Sequence, residues 1–204
     1  MCKKFMFLFS VAFLLIIAGN VQAKPVSLDV TVEAIIGNDG NVQPYVDYWS
    51  YFVQARNVYN TRRVTLISFD IKGLTEEYQF FANMSLNMTG FKGGTVKIYG
   101  VIEELDNIDE TLTWEDAPGV QDDLIADPVA LDMDELTDML LSIKVPGGDE
   151  TVSSDTSQAL DDFLNSDTDG TITLLLAPEK EGTDVMIRSS SISLEGEITT
   201  NKTI

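Results

Sequence analysis

The sequence contains no histidine and a single cysteine, Cys2. The first absence removes imidazole as a general base or metal ligand, and the second rules out an internal disulfide and any thiol nucleophile beyond position 2. Basic residues are scarce too: 13 Lys and Arg stand against 33 Asp and Glu, a formal charge of −20. A surface of that sign repels nucleic-acid phosphates and anionic lipid, so neither is an expected partner. Internal repeats and linker-like low-complexity stretches are also missing, which predicts one domain.

What is present begins at the N-terminus. Lys3 and Lys4 precede an apolar stretch, residues 5–18, that only Ser10 interrupts, and Val21-Gln22-Ala23 then offers small residues at the −3 and −1 positions of a cleavage site. This order predicts a secretory signal peptide over residues 1–23, cut after Ala23, and a mature domain over 24–204 outside the cell or at its surface. A spanning helix needs about 20 apolar residues, more than this run holds, so no membrane insertion is expected. A lipoprotein would need its cysteine directly after the apolar stretch, and Cys2 lies before it. Loss of Lys3 and Lys4 leaves 11 of the 13 basic residues against 33 acids, a formal charge of −22 for the mature domain.

Periodicity then sets the fold class. Phe80, Ala82, Met84, Leu86 and Met88 alternate with mostly polar neighbours, as do Ile192, Leu194, Gly196 and Ile198, and Val96, Ile98, Gly100 and Ile102. A period of two is that of a strand with one buried face. Residues 27–36, 50–57, 63–71, 139–145, 171–176 and 184–188 read as further strands, separated by turn signals such as Pro146-Gly147-Gly148 and Asp167-Thr168-Asp169-Gly170. Residues 132–141 have Leu and Met at helical spacing, but they run directly into Ile143-Lys144-Val145 and read better as loop into strand. Ala159, Leu160, Phe163 and Leu164 mark one short helix, with Asp155 or Ser157 as N-cap. The expected fold is all-β: an antiparallel β-sandwich or jelly roll with one short helix.

Four segments carry a resemblance. Residues 61–71 (TRRVTLISFDI), 94–101 (GTVKIYGV), 111–118 (TLTWEDAP) and 159–176 come in the order of similar elements in the bacterial DNRLRE-domain proteins, family 96 of the carbohydrate-binding modules. The resemblance implies a secreted jelly-roll module that binds polysaccharide, with alginate and related acidic glycans as the ligands linked to that family. The six letters that name the family do not occur here, and the matching motifs are fold elements, so no binding residue is carried over. Trp114 within the third segment reads as a core or corner residue rather than a sugar platform.

Candidate ligand contacts come from the residues themselves. Tyr45, Tyr48, Trp49, Tyr51, Phe52 and Tyr59 crowd one short window, and aromatic faces stack on the C–H faces of sugar rings. Tyr48, Arg56 and Tyr59, with Arg62, are the expected lining of a glycan groove, although most rings in the window also suit a core. An acidic glycan would need local cations, Arg56, Arg62 and Arg63, or bridging calcium; a neutral glycan would not. Asn165, Asp167 and Asp169 copy the first half of a calcium loop, followed by Gly170 at its sixth position, but the twelfth position is Leu176 where a bidentate Glu is required. Ca²⁺ is thus a candidate ligand of that turn, while Asp106, Asp109, Glu110, Asp122 and Asp123 read as solvated loop charges. Sequons stand at Asn83, Asn87 and Asn201.

The expected function is non-catalytic binding of an extracellular polysaccharide. A structural or adhesive matrix protein, associating with other extracellular proteins, ranks second. A polysaccharide-degrading enzyme ranks third, because no carboxylate pair stands out from a uniformly acidic sequence.

Overall fold

The computed structural model describes residues 22–37, 50–56, 61–74, 79–109, 112–121, 131–188 and 191–200. Tyr48 and Tyr59 lie outside them, as do residues 1–21 of the expected signal peptide. The elements are β1 (Gln22–Asp29), β2 (Val32–Gly37), β3 (Ser50–Arg56), β4 (Thr61–Asp70), β5 (Gln79–Lys92), β6 (Gly94–Val101), β7 (Leu136–Val145), β8 (Glu150–Ser153), helix α1 (Gln158–Ser166), β9 (Thr171–Pro178), β10 (Asp184–Arg188) and β11 (Ser193–Thr200). A 3-10 turn, Glu103–Leu105, follows β6. Every strand pairing is antiparallel, and the chain is an all-β sandwich with one short helix.

One layer runs β2-β4-β9-β6-β7 and the other β1-β11-β5-β10-β3, with β8 on the opposite edge of β5. The layers join where β3 meets the start of β4, with Arg56 opposite Thr61 and Ala55 opposite Arg62. Residues 27–36, expected as one strand, are two. The chain changes layers between Asp29 and Val32, leaving β11 to pair with β4. Thr31 holds the break, donating both its N–H (2.8 Å) and its hydroxyl (3.0 Å) to the Ser68 carbonyl.

The main core lies between the layers and takes Ile67 and Phe69 from β4, Met84, Leu86 and Met88 from β5, and Leu174 and Leu176 from β9. A second core covers the outer face of the first layer. There Leu66, Tyr99, Leu175 and Ala177 pack beneath the long connection between β6 and β7, which contributes Ile108, Ala117 and Trp114. β9 is therefore buried on both faces, which is why Ile172–Ala177 reads as a continuous run rather than an alternation. Each large apolar side chain buried in this way contributes about 1.5–3 kcal/mol.

Helix α1 seals one end of the sandwich. Ser157 is its N-cap: its hydroxyl accepts from the Leu160 N–H at 3.4 Å and donates to the Leu140 carbonyl at 2.6 Å. Leu160 and Leu164 face the core, and the Phe163 ring covers Gly100, where a Cβ would come within 2.5 Å of it. Residues 132–141 are loop into strand, as their continuation into β7 requires.

Candidate functional site

Two features of the β6–β7 connection carry chemistry. The first is an open groove of about 680 Å³ between that connection and the start of β7. Its carboxylates are Glu104, Glu115, Asp116, Asp132 and Glu135, and its carboxamides are Asn107 and Gln121. Leu105, Ile108, Leu112, Pro118 and Val120 supply apolar surface, and among the described residues no Lys or Arg lines it. The connection is held in shape locally. The Gly119 N–H donates to Glu135 Oε2 at 2.8 Å, the Asp132 N–H donates to the Gly119 carbonyl at 3.1 Å, and Thr113 Oγ1 donates to Asp116 Oδ2 at 2.7 Å. Val120 and Leu131 form an isolated bridge. Gly119 has φ +77°, and an added Cβ would lie 2.6 Å from Leu136, so this corner needs glycine.

The second feature is a carboxylate cluster below the same connection. Asp106, Asp167 and Asp169 each present an oxygen, and these oxygens lie within 4.8 Å of one another. Asp106 was expected to be a solvated loop charge; it is instead buried, only 3% exposed. The cause is a long-range pull. Thr173 Oγ1 on β9 donates to the Asp106 carbonyl at 2.6 Å, and the Ile108 N–H donates to the same oxygen at 3.0 Å. Ser68 Oγ in turn lies 2.5 Å from the Thr173 hydroxyl, so three buried polar residues pin the loop onto the sheet.

The Asp106 side chain is not satisfied in the same way, since its Oδ1 is buried without a hydrogen-bond partner. Burial, and then the negative charges of Asp169, Asp167 and Glu103, raise its pKa to about 7. Asp167 is raised too, by burial first and by Asp169 and Glu103, against the lowering effect of the Gly170 N–H. Asp167 and Asp169 sit on the turn into β9, where Asp167 Oδ2 accepts from Gly170 (2.7 Å) and Asp169 Oδ1 from Thr171 (2.8 Å). Gly170 has φ +90° and packs against Lys72, so that turn also requires glycine. Thr168 donates to Glu103, tying the turn to the 3-10 segment.

Asn165, in the last turn of α1, exchanges two bonds with the backbone of Phe81, accepting the N–H at 2.8 Å and donating to the carbonyl at 2.9 Å. The structure brings Asp167 and Asp169 together with Asp106, 61 residues earlier than the first of them. Of the expected glycan-binding residues, Arg56 and Arg62 occupy β3 and β4, where each is opposite a residue other than its fellow arginine. Trp114 packs half-buried against the second core, with its indole N–H buried and without a partner among the described residues. Leu112, Glu115, Asp116, Ala117 and Pro118 of the groove fall in the 111–118 segment, which the sequence marks only as a fold element, and the other groove residues belong to no motif.

A separate hollow of about 610 Å³ beside Lys92 and Lys180 also holds Glu179, Glu181 and Asp184, and Lys92 is ion-paired with Asp184. No helix among the described residues is long and apolar enough to cross a membrane. No protein-family model matches the chain, and no curated protein is significantly similar to it.

Proposed function

We propose that this protein is an extracellular, non-catalytic β-sandwich module whose acidic groove binds a neutral polysaccharide. The observation that carries the reading is the groove's composition: hydrogen-bonding carboxylates and carboxamides around apolar side chains, without a cation among the described residues. Sugar hydroxyls donate to carboxylates, and the C–H faces of sugar rings bury apolar area against the more exposed Leu105, Leu112 and Val120. A polyuronate would meet five like charges in the same place. Neutral glycans therefore take precedence over the alginate that the DNRLRE resemblance implies, while the resemblance itself supports a glycan-binding role. Binding without turnover is part of the reading, and Asp106, the carboxyl raised to about 7, is buried and does not line the groove.

Calorimetric titration of the mature protein against neutral and uronate oligosaccharides, with a reducing-end assay alongside, tests this. Selective binding of a neutral glycan without new reducing ends is expected. Replacing Asn107 and Gln121 together by Ala should then weaken binding at least about tenfold, the effect of losing roughly 1.4 kcal/mol of hydrogen bonding. Binding of uronates alone, or release of reducing ends, would overturn the reading.

A matrix role has one supporting observation. Among the described residues β7 pairs only with β6 and carries the exposed Met139; Ser157 occupies the Leu140 carbonyl, and the rest of the outer edge could accept a strand from another copy. Concentration-dependent self-association with silence toward all glycans would favour that role.

A further inference from the structure

We propose that Asp106, Asp167 and Asp169 form a calcium site that fastens the β6–β7 connection to the turn entering β9. Two independent observations converge. Three carboxylates from segments far apart in sequence bring oxygens within 4.8 Å of one another. One of them, Asp106, is 97% buried, with an oxygen that no donor among the described residues reaches. Protein interiors rarely leave a buried carboxylate oxygen unpaired, and a cation supplies the missing partner.

The donor set selects the ion. All three ligands are hard oxygens, and the chain has no His and no Cys beyond position 2, which excludes a site built for zinc or copper. Calcium takes oxygens at 2.3–2.6 Å, so two ligands across the ion stand up to about 5 Å apart, whereas magnesium requires about 4 Å and a regular octahedron. The Asp167 and Asp169 oxygens that accept from Gly170 and Thr171 hold those side chains in place, and each carboxylate has a second oxygen. Glu103, tied to Thr168, is near enough for its negative charge to act on Asp106. The charges acting on Asp106 are all negative, a field that a divalent ion would neutralise.

The placement has a consequence for the groove. Asp106 lies between Leu105 and Asn107, both of which line the groove on the other side of the same segment. An ion at Asp106 therefore steadies the groove wall. Metal binding stands on the cluster alone; its effect on glycan affinity rests on the proposed function.

The test uses calcium chloride alone. Protein stripped with chelator should bind one Ca²⁺ with a Kd of about 10⁻⁵–10⁻³ M. At about 100 times that Kd its Tm should rise by about 5–10 °C. Asp169→Asn, an exposed position, should fold normally and lose the response. Asp106→Asn should melt no lower than wild type in chelator, because it removes a buried charge, and should also lose the response. A wild-type Tm indifferent to calcium, either variant responding like wild type, or an equal response to magnesium would overturn the assignment. None of these readouts involves a glycan, so failure here leaves the groove proposal standing.

Discussion

Asp161 on α1 accepts the Met84 N–H of β5 through Oδ1 at 2.9 Å, although the two residues are 77 positions apart. Its Oδ2 accepts the adjacent Asn83 N–H at 3.0 Å. The pair marks a β-bulge: Asn83 has φ 56°, the β5–β11 register shifts here, and Gly196 lies so close to Met84 that a Cβ would meet its sulfur at 2.4 Å. One carboxylate thus satisfies the Asn83 donor that the bulge removes from the ladder and the Met84 donor on the edge of β5 away from β11.

Asp161→Ala should consequently destabilise the protein by about 2–4 kcal/mol, because both N–H groups lose their partner in a buried place. Urea unfolding checks this, and Asp161→Asn, which keeps an acceptor, should cost less. A change below about 0.5 kcal/mol for the alanine variant would show that the helix does not hold the bulge.

Thr173→Val tests the buried connection between sheet and loop. It removes the hydroxyl that donates to the Asp106 carbonyl and meets Ser68 Oγ. A loss of about 1–3 kcal/mol is expected. Faster hydrogen exchange should accompany it at Asn107 and Ile108, whereas exchange in β5 should track only the global loss.

The pH dependence of the calcium-free protein has a definite sign. Asp106 has a folded pKa of about 7, above its ordinary value near 4. Between those values the folded state holds a proton that the unfolded state has released, so stability falls as pH rises from about 4 to about 7. Asp167, also raised, adds to the same trend. The slope is at most about 1.4 kcal/mol per pH unit for each carboxyl. Chemical denaturation in chelator at a series of pH values measures it, and Asp106→Asn should flatten the curve.

Much of the fold was legible because one-sided burial leaves its mark on neighbouring residues. The alternation of residues 84–88 is kept in β5, but the bulge at Asn83 switches the face before it, so Phe81 is buried where Phe80 was expected and Phe80 is 42% exposed. The alternation of 192–198 became β11, and Ser157 followed by Leu160 and Leu164 marked the start and inner face of α1. The misses have long-range causes. Residues 27–36 look like one strand because nothing local records that Thr31 bonds Ser68 and turns the chain into the other layer. β8, with Val152 as its one apolar residue, is a strand only because the edge of β5 is open to it. Asp106 resembled any surface aspartate, since its burial depends on Thr173, 67 residues away. The groove was invisible for the same reason: a loop folded over a second core has no period to read.

The central claim is that the ligand sits on the β6–β7 connection, and backbone NMR during titration of isotopically labelled mature protein with a neutral oligosaccharide tests it most directly. Saturable shifts centred on Leu105, Asn107, Ile108 and Gln121 are the predicted result. Shifts confined to the window from Tyr45 to Tyr59, or none with any neutral sugar, would contradict it.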